Sequence, residues 1–187
     1  MRVELFGENK RLLYRNIRVV NFVPVGAWAL LAFDIEYEIS AAAEAGRLVL
    51  SVDDEYGRTV ALNSVPLVLL SIGEADIVPP RDVLAPIILQ QPRKKALIQG
   101  GSVIVSGLAR PNGDQPIQVR LITQKGAEVG SRLAAIGPLG EGGYGSFSVE
   151  VPYSVSQATT VLLVVTIGGE EISDIIHLSS RDIVLSP

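Results

Sequence analysis

The sequence predicts an all-β protein made of two β-sandwich domains in tandem. Three observations predict it. Short runs alternate with period two, most clearly where Phe33, Ile35, Tyr37 and Ile39 share one face and Asp34, Glu36 and Glu38 the other. That period sets one face of a strand on a core and the other in water. Turn residues separate the runs at a spacing of roughly 8–12 residues, as in a sandwich. Finally, 187 residues with four prolines between Pro79 and Pro92 suit two domains of about 90–100 residues on either side of a connector. No long helical periodicity competes with this reading.

Composition narrows the function. Hydrophobic residues make up 48% and charged residues 19%, the latter below the roughly 25% of an average globular domain. Mean hydropathy is +0.35, so the chain has ample apolar surface to bury and is not globally disordered. Net charge −4 lacks the basic footprint that nucleic acid requires. The absence of cysteine removes disulfides, thiolate metal sites and thiol nucleophiles. Arg11, Arg15 and Arg18 precede the apolar run 19–33, which resembles an export signal. It is shorter than the about 20 apolar residues of a membrane span, and Pro24 and Gly26 interrupt it. Two strands and a turn are the expected reading; an export signal, if the protein is secreted, is expected upstream of Met1.

Taken in order, Val3–Phe6 and Leu12–Phe22 are predicted strands around a turn at Gly7–Lys10. The alternating run 33–39 follows. Ser40–Gly46 is rich in helix formers but too short to stand as a helix, and a single helical turn stopped by Gly46 is expected. Arg47–Asp53 and Arg58–Ser64 flank a hairpin turn, with Gly57 where a positive φ is needed. Val65–Ile72 is a further, apolar strand. Domain one is thus residues 1–78 and the Pro-rich connector 79–92, although Ile87–Gln91 has the character of an edge strand. Domain two, 93–187, opens at Gly100-Gly101 with the strand Ser102–Ala109. Ile117–Thr123, Glu128–Ile136, Ser146–Tyr153, Thr160–Ile167, Glu171–Ser179 and Asp182–Leu185 follow, with a Gly-rich loop at 137–145.

The second half also carries a family pattern. Pro92, Val103-Ile-Val-Ser-Gly-Leu-Ala109, Val119-Arg-Leu121, Gly126, Phe147-Ser-Val-Glu-Val-Pro-Tyr153 and Val184-Leu185 together resemble the immunoglobulin-like domain of bacterial spore-germination and related cell-envelope proteins. The resemblance covers residues 92–187; residues 1–90 match nothing in it. It implies an extracytoplasmic, non-enzymatic sandwich attached to other envelope modules, without catalytic residues to carry over. The expected architecture is therefore two immunoglobulin-like β-sandwich domains in tandem.

Candidate chemistry is sparse. Asp53, Asp54 and Glu55, beside Tyr56, are weak candidates for a calcium site, because Ca²⁺ takes six to eight oxygen ligands. They lack the D-x-D-x-D-G spacing, and a charged hairpin turn is the plainer reading. Asp34, Glu36 and Glu38 are the wet face of an amphipathic strand rather than paired catalytic carboxylates. His177, the single histidine, has Asp174 nearby in sequence, but no G-x-S-x-G elbow supplies a nucleophile. The loop 137–145 lacks the Lys-Ser/Thr ending of a phosphate loop. Arg93, Lys94 and Lys95 form a small solvated basic patch, and Trp28 and Tyr37 are expected in core packing.

Val65–Ile72 and 161–167 stand out because they are apolar on both faces, whereas a free sandwich strand alternates. Something must cover the second face, either another domain or another copy. Val65, Leu67, Leu69, Leu162, Val164 and Tyr144 are the expected contact residues. The expectation is a non-enzymatic bacterial cell-envelope or extracellular structural protein, with no cofactor or metal and not membrane-spanning. It self-assembles as a homo-oligomer or filament, or contacts an envelope protein. The alternative is an accessory binding module for envelope polysaccharide.

Overall fold

A computed structural model of the chain describes residues 1–20, 31–73, 85–168 and 174–187. Among them there is no α-helix, only strands and two short 3-10 turns. Two compact units emerge: residues 1–52 with 63–78, and residues 53–62 with 79–187.

The first unit contains β1 (Arg2–Phe6), β2 (Leu12–Ile17), most of β3 (Ala43–Asp53) and the later part of β4 (Thr59–Leu70), in the order β2-β1-β3-β4. Asn9 and Lys10, both at positive φ, turn β1 into β2. Val3 and Leu5 stand opposite Leu50 and Leu48 of β3 and are buried. The sheet also buries carboxylates, and each has a cation: Glu4 meets Arg15 at 2.7 Å and Glu44 meets Arg11 at 2.9 Å. A buried charge without such a partner would be costly.

The expected helical turn at Ser40–Gly46 does not form. Its residues from Ala43 onward belong to β3, because Glu44 is drawn to Arg11 and the bare Gly46 seats the Leu69 side chain where a Cβ would stand. The run 33–39 joins no ladder, yet its acidic residues face solvent while Phe33, Ile35 and Ile39 are half-buried. Alternation needs only one supporting face, not a hydrogen-bonded neighbour. Tyr37 supplies the link instead, its hydroxyl donating to the Leu70 carbonyl and accepting from the Leu70 N–H. The two strands expected at 58–64 and 65–72 are one continuous β4. The strand-and-turn reading of 19–33 falls largely on 21–30, outside the described residues.

The second unit has β5 (Ile87–Gln91), β6 (Leu97–Ile98), β7 (Ser102–Ala109), β8 (Ile117–Thr123), β9 (Glu128–Ala134), β10 (Gly145–Pro152), β11 (Thr159–Gly168) and β12 (Ile175–Leu185). One sheet runs β12-β11-β8-β9, with β6 parallel to β12; the other runs β10-β7-β5. Val103 and Val105 of β7, Phe147 and Val151 of β10, and Leu163 and Ile183 of the larger sheet meet in one core, a β-sandwich-like arrangement. Ile104, between two buried valines, points outward, as period two demands. Gly107 lies where a Cβ would strike the Ile88 carbonyl and the Phe147 ring, so the two strands close over it. Ile87–Gln91 of the expected connector is an edge strand, held on β7; residues 79–84 lie outside the described set. From Ile175 onward the strands expected at 171–179 and 182–185 are one, β12, while residues 171–173 lie outside the described set.

Candidate functional site

The tip of the β3–β4 hairpin, Asp53–Leu62, belongs to the second unit, and a surface depression of about 350 Å³ opens beside it. The tip is built locally. Gly57, at φ +75, allows its N–H to donate to the Asp54 carbonyl at 3.0 Å, and the Asp54 N–H donates to the Arg58 carbonyl at 2.9 Å. Asp54 Oδ1 accepts from the N–H groups of Tyr56 and Arg58, and Oδ2 accepts from Arg58 Nε at 2.8 Å. Arg58 then reaches outward: Nη1 donates to the Ile122 carbonyl at 3.2 Å and Nη2 lies 4.0 Å from Asp182. Its guanidinium sits 5.3 Å from the Tyr56 ring centroid.

Val60, Ile183 and Val184 give the depression an apolar part, while Lys95, Gln124 and Thr160 add polar groups to its lining. Two titratable groups beside it are shifted from their ordinary values. Burial alone would raise the Asp54 pKa, but the Arg58 N–H and guanidinium with the Tyr56 N–H outweigh it and hold the carboxyl below its ordinary value. The neighbouring Glu55 charge pushes the Tyr56 phenol up.

Two of the three calcium candidates, Asp53 and Asp54, make contacts within the hairpin tip. Asp54 uses both oxygens on the turn and Arg58, and Asp53 Oδ1 accepts from Thr59 Oγ1 at 2.8 Å. Among the described residues no three His, Cys, Asp or Glu side chains are placed to hold a metal ion. His177 stands opposite Ile167 in the β11–β12 ladder. Arg93, Lys94 and Lys95 are exposed; Trp28 lies outside the described residues.

The six expected contact residues separate into two groups. Leu69, Leu162, Val164 and Tyr144 are buried within the chain. Leu69 rests on Gly46; Leu162 and Val164 pack with Leu178 against Val60, Leu62 and Ile122 of their own unit. Tyr144 donates to the Ala85 carbonyl at 2.8 Å, under the Arg110 guanidinium. Val65 and Leu67 are exposed, and so are their neighbours Val68, Leu70 and Ile72. They belong to a stretch, Val65–Gly73, without a single charge.

Two arginines anchor the fold in ways the sequence reading did not single out. Arg58 had a local signal, an Asp four residues before it across a glycine turn. Arg181 had none: it donates from the middle of β12 to the carbonyls of Leu89 and Pro92, at 2.8 and 2.6 Å.

No family model, no curated protein and no solved structure matches this chain.

Proposed function

We propose that this is a non-enzymatic structural or interaction protein of the bacterial cell envelope or exterior, working through contacts between copies of itself. In this reading its units are two immunoglobulin-like domains in tandem. One observation carries it: the exposed, uncharged stretch from Val65 to Ile72, with Val68 72% and Ile72 85% accessible. Apolar residues scattered singly on a surface need no explanation, but a contiguous run marks an interaction site. A patch without charge can also meet its own copy across a two-fold axis without like-charge repulsion. The family pattern in residues 92–187 supports the envelope location.

Light scattering coupled to size exclusion tests the reading. The chain is expected to elute at a multiple of its mass at micromolar concentration, and Val68→Lys to return it to the monomer. A wild-type monomer throughout that range overturns it. The second reading, polysaccharide binding, draws on Tyr56, 49% exposed beside the depression holding Gln124 and Thr160, since an aromatic face can stack on a sugar ring. A saccharide-specific signal on a glycan array that Tyr56→Ala abolishes would favour it over self-assembly.

A further inference from the structure

We propose that Asn112 is a self-acting modification site, converted by water to aspartate and isoaspartate, and that the conversion releases one end of the second unit's sandwich. Of the five asparagines, Asn112 alone precedes a glycine. Gly113 has no Cβ to hinder approach to its nitrogen, is exposed, and sits at φ +58 in a turn in which Gln115 N–H donates to the Asn112 carbonyl. Among the described residues the Gly113 N–H has no hydrogen-bond partner, so the nucleophile is uncommitted. The electrophile is held by a single contact, Asn112 Nδ2 donating to the Gly168 carbonyl at 3.2 Å.

The reaction balances with water as its only co-reactant. Once Asn112 swings off Gly168, the Gly113 nitrogen attacks Cγ, forming an N–Cγ bond and giving its proton to solvent. The Cγ–Nδ2 bond breaks, and Nδ2 takes up a proton and leaves as ammonia. Water then opens the cyclic imide at either carbonyl, giving aspartate or, with the main chain rerouted through the side chain, isoaspartate. Nothing is oxidised or reduced; one neutral amide becomes one carboxylate.

The consequence follows from what Asn112 holds. Its amide ties the loop after β7 to the last residue of β11, next to the Arg110 N–H to Pro86 carbonyl contact at 2.9 Å. A carboxylate has no donor for the Gly168 oxygen and repels it. Isoaspartate also lengthens the main chain within the turn that Gln115 closes. The modification is thus an irreversible charge change that unfastens this loop as the protein ages.

The test is incubation of the intact, folded chain at mildly alkaline pH, with timed proteolysis and mass spectrometry. The peptide holding Asn112 is expected to gain about one dalton as two separable products, at least about tenfold faster than the peptide holding Asn63, whose following residue carries a Cβ. Equal rates overturn the proposal, as does conversion confined to a denatured sample. The released loop has its own readout. Asn112→Asp is expected to speed amide hydrogen exchange over residues 110–116 several-fold while β8 and β10 keep their protection; unchanged exchange there overturns the structural half of the proposal.

Discussion

Residues 161–167 of the second unit and Val65–Ile72 of the first are similar in composition and opposite in surroundings. Every side chain from Val161 to Ile167 is buried, Thr166 included. β11 lies between β8 and β12, with the sandwich core on one face and Val60, Leu62, Ile122 and Leu178 on the other. In Val65–Ile72 only Leu69 is buried. The first unit has Val3, Leu5 and Leu69 as its buried apolar side chains among the described residues, and it seals Glu4 and Glu44 alongside them. An apolar strand is a demand for neighbours, not a guarantee of them. The second unit meets that demand within its own fold, and the first leaves part of it open.

The sharpest way to break the comparison is to truncate one leucine in each strand. Leu163→Ala empties a fully buried position and is expected to cost about 2–5 kcal/mol in urea unfolding. Leu67→Ala removes the same atoms from a side chain 37% exposed and is expected to cost under about 1 kcal/mol in the monomer. Equal losses would mean that the first unit is as tightly cored as the second. Next in size is Arg181→Ala, which leaves the carbonyls of Leu89 and Pro92 without their charged donor. A loss of about 1.5–3 kcal/mol is expected, with hydrogen exchange rising first in β5.

Arg58→Ala tests whether the hairpin tip depends on its guanidinium. Arg58 and Asp54 are 11% and 18% exposed, so the pair is worth more than a surface bridge. A loss of about 1–2 kcal/mol is expected, with faster exchange at 53–62. Its pH dependence gives a smaller, independent reading. The Asp54 pKa is lowered in the folded state, so its contribution is complete above the ordinary carboxylate range and fades as pH falls through that range to the folded value. Acid titration of the melting temperature should be shallower in Asp54→Asn than in the parent; parallel curves would show that Asp54 contributes nothing.

Much of the second unit was legible in advance. Alternation in Ile117–Thr123 and Ser146–Tyr153 puts Ile117, Val119, Leu121, Phe147, Val149 and Val151 on the inward face, and all but the half-buried Val149 are buried. Alternation reports a local fact, which face of a strand is wet, and a chain carries that fact residue by residue. β12 was not legible, because Ser179-Ser180-Arg181-Asp182 looks like a turn. Its polar groups are matched by partners far away in sequence. Ser180 Oγ donates to the Val60 carbonyl at 2.6 Å, and Arg181 to Leu89 and Pro92. The same blindness gave Ser40–Gly46 a helical turn.

Composition and period two were enough to establish an all-β chain, its turns and most of the inward positions of the second unit, since those depend on neighbours a few residues apart. Tertiary structure alone decided which apolar strand is enclosed, where Arg58 and Arg181 are anchored, and that Asn112 guards the Gly168 carbonyl. Those outcomes depend on carbonyls and side chains brought together from distant segments, and a hydrogen bond across 56 or 120 residues leaves no local periodicity to read.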